Sequence, residues 1–209
     1  MNTNNCMVCG SPSVPHASKD FGGQWDLNIV DYSRCVRCGF VKSETHFAMS
    51  DEEWGRVNEL CHSFYQGSDS NPEDPRWLER MQAQSDLLAR LWASGLAPAG
   101  KSWLDWAAGD GKLAEMAAAQ GVTLKCFDAY MGLESYLKAS DLHPRSFGLV
   151  LTTSVLEHLR SRDDLDAMES LVAEDGILAI HTLVTEEIPT DPSWFYYLGP
   201  HVSFFTKNR

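Results

Sequence analysis

The sequence predicts an α/β fold, a mostly parallel sheet flanked by helices, with a small cysteine-rich module in front of it. Three observations carry this prediction. Ser102–Leu113, SWLDWAAGDGKL, runs from an apolar strand through a loop of small residues into a helix start. Phe147–Thr152 is an apolar run of the kind that forms a central parallel strand buried on both faces. Near the N-terminus, Cys6-x-x-Cys9 and Cys35-x-x-Cys38 are separated by 25 residues.

A chain of 209 residues has room for one domain plus a small module. The expected division is a module over 1–48, a helical linker or lid over 49–98 and an α/β domain over 99–209. At 44% apolar residues the chain can build a globular core. It contains no apolar run long enough to span a membrane. The opening MNTNNCMVCG has neither a basic start nor an apolar stretch, so no signal peptide is expected. These features predict a cytoplasmic chain whose six cysteines are thiols or metal ligands. The formal net charge of −12 opposes a polyanionic partner. Residues 1–60 share this bias, with five Lys/Arg against eight Asp/Glu.

The two C-x-x-C pairs put four thiolates within reach of one tetrahedral Zn²⁺ at about 2.3 Å each. Each pair is followed by a glycine, Gly10 and Gly39, suited to a tight turn. The alternation around Trp25–Val30 reads as a short hairpin. The picture is a zinc ribbon; two disulfides or four unrelated thiols are the alternatives. His16 and His46 flank the module and read as surface or packing residues, since four cysteines complete the ligand set. So small a module has little apolar core, and the metal would supply its folding energy.

Ser50-Asp51-Glu52-Glu53 is a helix start with a capping box between Ser50 and Glu53. The adjacent Cys61 and His62 point about 100° apart on a helix, poor geometry for one metal, so packing is expected. The polar stretch 64–74 reads as a linker. Pro75–Trp92 follows a helical period through Trp77, Met81, Leu87, Leu88, Leu91 and Trp92, with Pro75 at the start and Gly95 at the end.

The α/β core then reads as strand Lys101–Trp106, helix Lys112–Gln120 and strand Val122–Phe127. Asp128 stands 19 residues after Gly109. An acid about 20 residues beyond a glycine-rich turn is where such folds meet a ribose hydroxyl pair. The short segment Met131–Pro144 has to hold a reduced helix and a third strand near Tyr136–Lys138. Strand Phe147–Thr152, helix Arg162–Ala173 and strand Gly176–Leu183 follow. His181, inside that last strand, reads as a core histidine. The tail is aromatic, with one Trp, two Tyr and three Phe between Trp194 and Phe205. So many aromatics are costly to leave in water, and they are expected to lie over the mouth of the ligand pocket and form one of its walls; the N-terminal module and an uncovered face of the sheet are the alternatives.

LDWAAGDG, Asp128 and FGLVLTTSVLEHL together resemble the class I S-adenosylmethionine (SAM)-dependent methyltransferases, whose core is a Rossmann-like sheet. CMVCGSP…YSRCVRCGFV resembles the zinc module found before some bacterial methyltransferases acting on sugars and small molecules. The resemblance covers roughly Lys101 to the C-terminus, where the family usually adds a helix and an antiparallel strand pair. It implies that Asp105 orients the methionine ammonium and that Ala107, Ala108 and Gly109 line the methionine tail. It implies that Asp128 accepts the ribose hydroxyls and Asp141 stands by the adenine. Thr153 would lie beside the methyl group. Ala107 replaces the family's first glycine.

HVSFFT resembles a histidine–aromatic segment near the active site of some sugar C-methyltransferases, with Pro200-His201 where that family has Glu-His. A histidine near its ordinary pKa suits removal of a proton from the acceptor. His158 and His201 are therefore the candidate bases, and packing roles are their alternatives. The expected function is methyl transfer from SAM to a small molecule, a sugar or secondary metabolite. A SAM-binding scaffold without turnover and an RNA methyltransferase are the competing readings; the acidic balance opposes the second.

Overall fold

The computed structural model describes residues 5–62, 75–98 and 100–207. In chain order the elements are β1 (Ser13–Asp20), β2 (Ile29–Cys35), β3 (Val41–Ser43), α1 (Glu44–Ala48), α2 (Asp51–His62), α3 (Pro75–Ser94), β4 (Ser102–Trp106), α4 (Lys112–Ala119), β5 (Leu124–Phe127), β6 (Phe147–Thr153), α5 (Asp163–Leu171), β7 (Val172–His181), β8 (Val184–Thr185) and β9 (Ser203–Thr206). Two compact units interleave along the chain. One comprises Met1–Tyr65, Ser154–Arg162 and Thr182–Arg209; the other comprises Gln66–Thr153 and Asp163–His181. This division cuts across the linear scheme 1–48, 49–98 and 99–209.

The first unit carries a sheet in the order β1-β2-β3-β9-β8. β1 and β2 pair antiparallel, with Ser13 opposite Cys35 and Asp20 opposite Ile29. The hairpin is therefore longer than the sequence predicts. Trp25 and Asp26 lie in its turn at φ 57° and 61° rather than in a strand. β3 pairs antiparallel with β2 and with β9. Ser43 caps α1 by accepting from the His46 N–H, and Ser50 and Glu53 form the expected reciprocal box at the start of α2.

The core of this unit is Leu27, Val30, Tyr32, Val41, Val57, Cys61, Ile188, Tyr197 and Phe204. Tyr32 stacks on Tyr197 at 4.5 Å and meets the edge of Phe204 at 5.8 Å. Of the three surfaces open to the C-terminal aromatics, these rings cover the N-terminal module. Cys61 packs in the same core, and His46 is fully buried.

The second unit is a four-stranded, all-parallel sheet in the order β5-β4-β6-β7. Its core gathers Trp103, Leu149 and Leu151 from the strands with Leu88, Leu113 and Ala117 from α3 and α4. Every residue of β6 but Thr153 is buried, as its apolar run requires. β7 begins immediately after α5, earlier than expected. From Phe147 to Leu149 on β6, its partner advances from Val172 to Ile177. Gly176 sits in this bulge because an added Cβ would lie 2.9 Å from Val172 and 3.0 Å from the Gly148 carbonyl. His181 stands exposed at the end of β7, not in a core.

No third strand forms at Tyr136–Lys138. The Tyr130 and Met131 N–H groups both bond to Asp128, which turns the chain directly after β5. The reversed segment makes one backbone bond to β5, from Leu137 N to Cys126 O at 2.8 Å, and then a 3₁₀ turn at Ala139–Asp141. Among the described residues no helix is long and apolar enough to cross a membrane.

Candidate functional site

In the second unit the candidate site is the loop between β4 and α4. Ala107, Gly109 and Gly111 all have positive φ, at 59°, 58° and 79°. Glycine adopts this conformation without strain, whereas an alanine pays about 1–2 kcal/mol for it. Ala107 thus keeps the glycine conformation without being glycine. The loop is tied down on several sides. Ala108 N–H donates to the Phe127 carbonyl at 3.1 Å, and Gly111 N–H donates back to Ala108 at 3.0 Å. Asp110 accepts from the Lys112 N–H at 3.0 Å at the start of α4.

Asp128, at the end of β5, reaches across to this loop. Its Oδ2 accepts from the Gly109 N–H at 2.9 Å, while Oδ1 accepts from Tyr130 and Met131 at 2.9 and 3.0 Å. Asp105, next to last in β4, is only 2% exposed. Burial, and then the charge of Asp128, pushes its carboxyl up to about 7. Thr153 is half-buried at the end of β6. Asp141 is exposed, and its carboxylate accepts from the Lys138 N–H at 2.8 Å within its own turn.

These residues fit an adenosyl cofactor in one structural respect. A Cβ built on Gly109 meets nothing within 4 Å, so bare backbone faces open space at the loop. The Asp128 carboxylate stands beside this loop, and its negative charge favours the cationic sulfonium and ammonium groups of SAM. Sequence reasoning missed Tyr136. Its hydroxyl donates to the Gly109 carbonyl at 3.0 Å.

The first unit holds two further clusters. The Sγ atoms of Cys6, Cys9, Cys35 and Cys38 all lie within 4.8 Å of one another. Cys6 and Cys38 are 3.6 Å apart, Cys9 and Cys35 3.5 Å. A disulfide needs about 2.05 Å, whereas tetrahedral Zn–S bonds of about 2.3 Å separate the sulfurs by about 3.8 Å. The two knuckles repeat one geometry. Gly10 N–H bonds the Cys6 carbonyl and Gly39 N–H the Cys35 carbonyl. Val8 and Arg37 N–H groups point at Cys6 and Cys35 sulfur, each at 3.4 Å. Burial pushes the Cys6 and Cys38 thiols up, so thiolates there call for a cation. The donor set fits zinc.

His158 and His201 come together in the same unit, their rings 5.1 Å apart and nearly perpendicular. Glu157, also missed from sequence, joins them, and the ligating atoms of all three lie within 4.8 Å of one another. That spacing would admit a cation. Glu157 is buried and accepts from the Tyr196 hydroxyl and the Thr182 hydroxyl, both at 2.8 Å. His201 Nδ1 lies 3.0 Å from the Tyr196 carbonyl. A carbonyl only accepts, so in neutral His201 the proton sits on Nδ1 and the lone pair on Nε2. The signal for Glu157 was an acid beside a candidate histidine; its burial and partners were not readable.

Arg160 fastens this segment. Its guanidinium donates to the carbonyls of His46 and Met49 at 3.1 and 2.9 Å, pairs with Asp51 and lies over the Trp54 ring at 5.6 Å.

A family described as "Methyltransferase domain" matches residues 76–208. The chain belongs to this family. The match implies SAM as cofactor. It is also similar to a Schizosaccharomyces pombe protein named "Ubiquinone biosynthesis O-methyltransferase, mitochondrial", at 26% identity over 178 residues. That similarity covers 75% of this chain and 64% of the relative's length.

Proposed function

We propose that this methyltransferase acts on a hydroxyl of a small molecule, a sugar or secondary metabolite, and that its N-terminal unit holds a structural zinc. The observation that carries the cofactor placement is the Ala107–Gly111 loop with Asp128 bonded to it. SAM supplies an electrophilic methyl group on a sulfonium. The loop backbone from Ala107 to Gly109 borders the methionine portion, and Asp128 accepts the ribose hydroxyls. Asp105 faces the ammonium, and Thr153 stands at the methyl end. Asp141, engaged in its own turn, is the weakest member of the set. The relative's name supports O-methylation, and the net charge of −12 supports a small-molecule acceptor over RNA. The cytoplasm is the proposed compartment, supported by the unpaired thiols.

The His158–His201 pair serves as proton acceptor, with Nε2 of His201 as the basic atom. Cys6, Cys9, Cys35 and Cys38 hold the zinc. Isothermal titration with SAM tests the placement. Wild type should bind, and Asp128→Ala should lose on the order of 2–4 kcal/mol of affinity. Unchanged affinity in the variant puts the cofactor elsewhere. His201→Ala should retain SAM affinity while turnover of a methylated acceptor falls roughly 10²–10⁴-fold.

A further inference from the structure

We infer that Tyr136 is a positioning residue for the cofactor: together with Asp128 it clamps Gly109 from both sides and holds the glycine-rich loop in its ligand-ready shape. This rests on the placement of SAM at the loop. Gly109 has two backbone polar groups, and each has a side-chain partner from outside the loop. Its N–H donates to Asp128 Oδ2 at 2.9 Å, and its carbonyl accepts from the Tyr136 hydroxyl at 3.0 Å. The two peptide units flanking Gly109 are thereby fixed by residues 19 and 27 positions further along the chain.

The loop needs such restraint. Its three positive-φ residues, at 59°, 58° and 79°, include a non-glycine. A backbone in sparsely populated conformations persists only when its surroundings over-determine it. Tyr136 also sets the room at the next glycine. A Cβ on Gly111 would lie 2.6 Å from the Tyr136 oxygen but 3.6 Å from the ring carbon that bears it. The hydroxyl alone makes the contact too close.

The tyrosine is not a core residue. It is half-buried, and with Leu124, Cys126 and Leu137 it lines a cavity of about 420 Å³. Removing its hydroxyl therefore disturbs the loop and spares the packing. Burial, with Cys126, Asp105, Asp110 and Asp128 close by, pushes its phenol up to about 12, so it stays a donor.

The clamp acts on binding through the free protein. With it, the loop waits in the competent shape; without it, only a fraction of molecules does, and the apparent dissociation constant rises by the reciprocal of that fraction. The test is isothermal titration of the full chain with SAM. Tyr136→Phe should weaken binding roughly 3–10-fold, the range for one neutral hydrogen bond. Gly111→Ala should weaken it as well. Adding Tyr136→Phe to Gly111→Ala should cause no further loss, because the phenyl ring leaves room for the new methyl group. A tyrosine that merely stabilised the fold would lower the melting midpoint and leave the dissociation constant unchanged; that result overturns the inference. Losses that multiply in the double variant overturn it too. If wild type binds no SAM, the cofactor placement itself fails.

Discussion

Asp128 is positioned to hold its loop before any ligand arrives, and Asp128→Asn isolates that function. The carboxylate uses Oδ1 for the N–H groups of Tyr130 and Met131 and Oδ2 for Gly109. An asparagine that keeps its oxygen on Tyr130 and Met131 turns its amide nitrogen toward the Gly109 N–H, donor against donor. One charge-assisted bond disappears and two others lose their ionic character. A hydrogen bond to a charged group contributes about 1.5–3 kcal/mol, so the ligand-free variant should be destabilised by roughly that amount. Asp128→Ala removes all three bonds, but Tyr130 is exposed and water replaces part of the loss. A cost of about 2–4 kcal/mol is expected, less than three times the single bond. Urea unfolding at neutral pH without cofactor measures both, provided the m-value is unchanged. If Asp128→Asn unfolds within about 0.5 kcal/mol of wild type, within the scatter of ordinary surface changes, Asp128 does not brace the loop and the reasoning fails.

Other residues give independent tests. Burial, and then Arg160, holds the His46 ring down to about 4, below its ordinary 6.5, so folding favours the neutral ring. Its stability contribution is complete above pH 6.5 and is lost as pH falls toward 4, by up to about 3 kcal/mol; His46→Gln should flatten that acid limb in urea titrations at several pH values. Ala107→Gly should stabilise the protein by roughly 0.5–1 kcal/mol by relieving the strained φ, and a loss of stability would contradict the loop geometry. Elemental analysis should find one zinc per chain, and Cys35→Ser should abolish it while circular dichroism retains the helical signal of the parallel unit.

Where the sequence was read correctly, the determinants were local. The capping box at Ser50 and Glu53, the buried run of β6 and the small-residue loop each carry their own geometry. The cysteine pairs were legible because metal chemistry restricts spacing more tightly than packing does. The failures were non-local. The turn after β5 depends on where the Asp128 carboxylate goes, and no periodicity near Tyr136 reveals that. β7 starts early because a glycine bulge absorbs the register change. Ser203–Thr206 is too short to show a period, and nothing in those residues names β3 as their partner. Glu157 and Tyr136 escaped for the same reason, since their roles come from groups 39 and 27 residues away.

That pairing of β9 with β3 has a consequence for how the protein is made. The cysteines and β1–β3 are synthesised well before Ser203–Thr206, the strand that pairs with β3 in their sheet. At about 5–20 residues per second, many seconds pass in which the knuckles exist without their final strand. All the strands and helices of the parallel unit are translated during that interval. Their sheet is thus begun before the parallel unit and completed after it. A chain released before Phe204 lacks the ring that meets Tyr32, and its N-terminal core is left open to water. Nascent chains stalled just short of β9 should therefore be protease-sensitive around β1–β3.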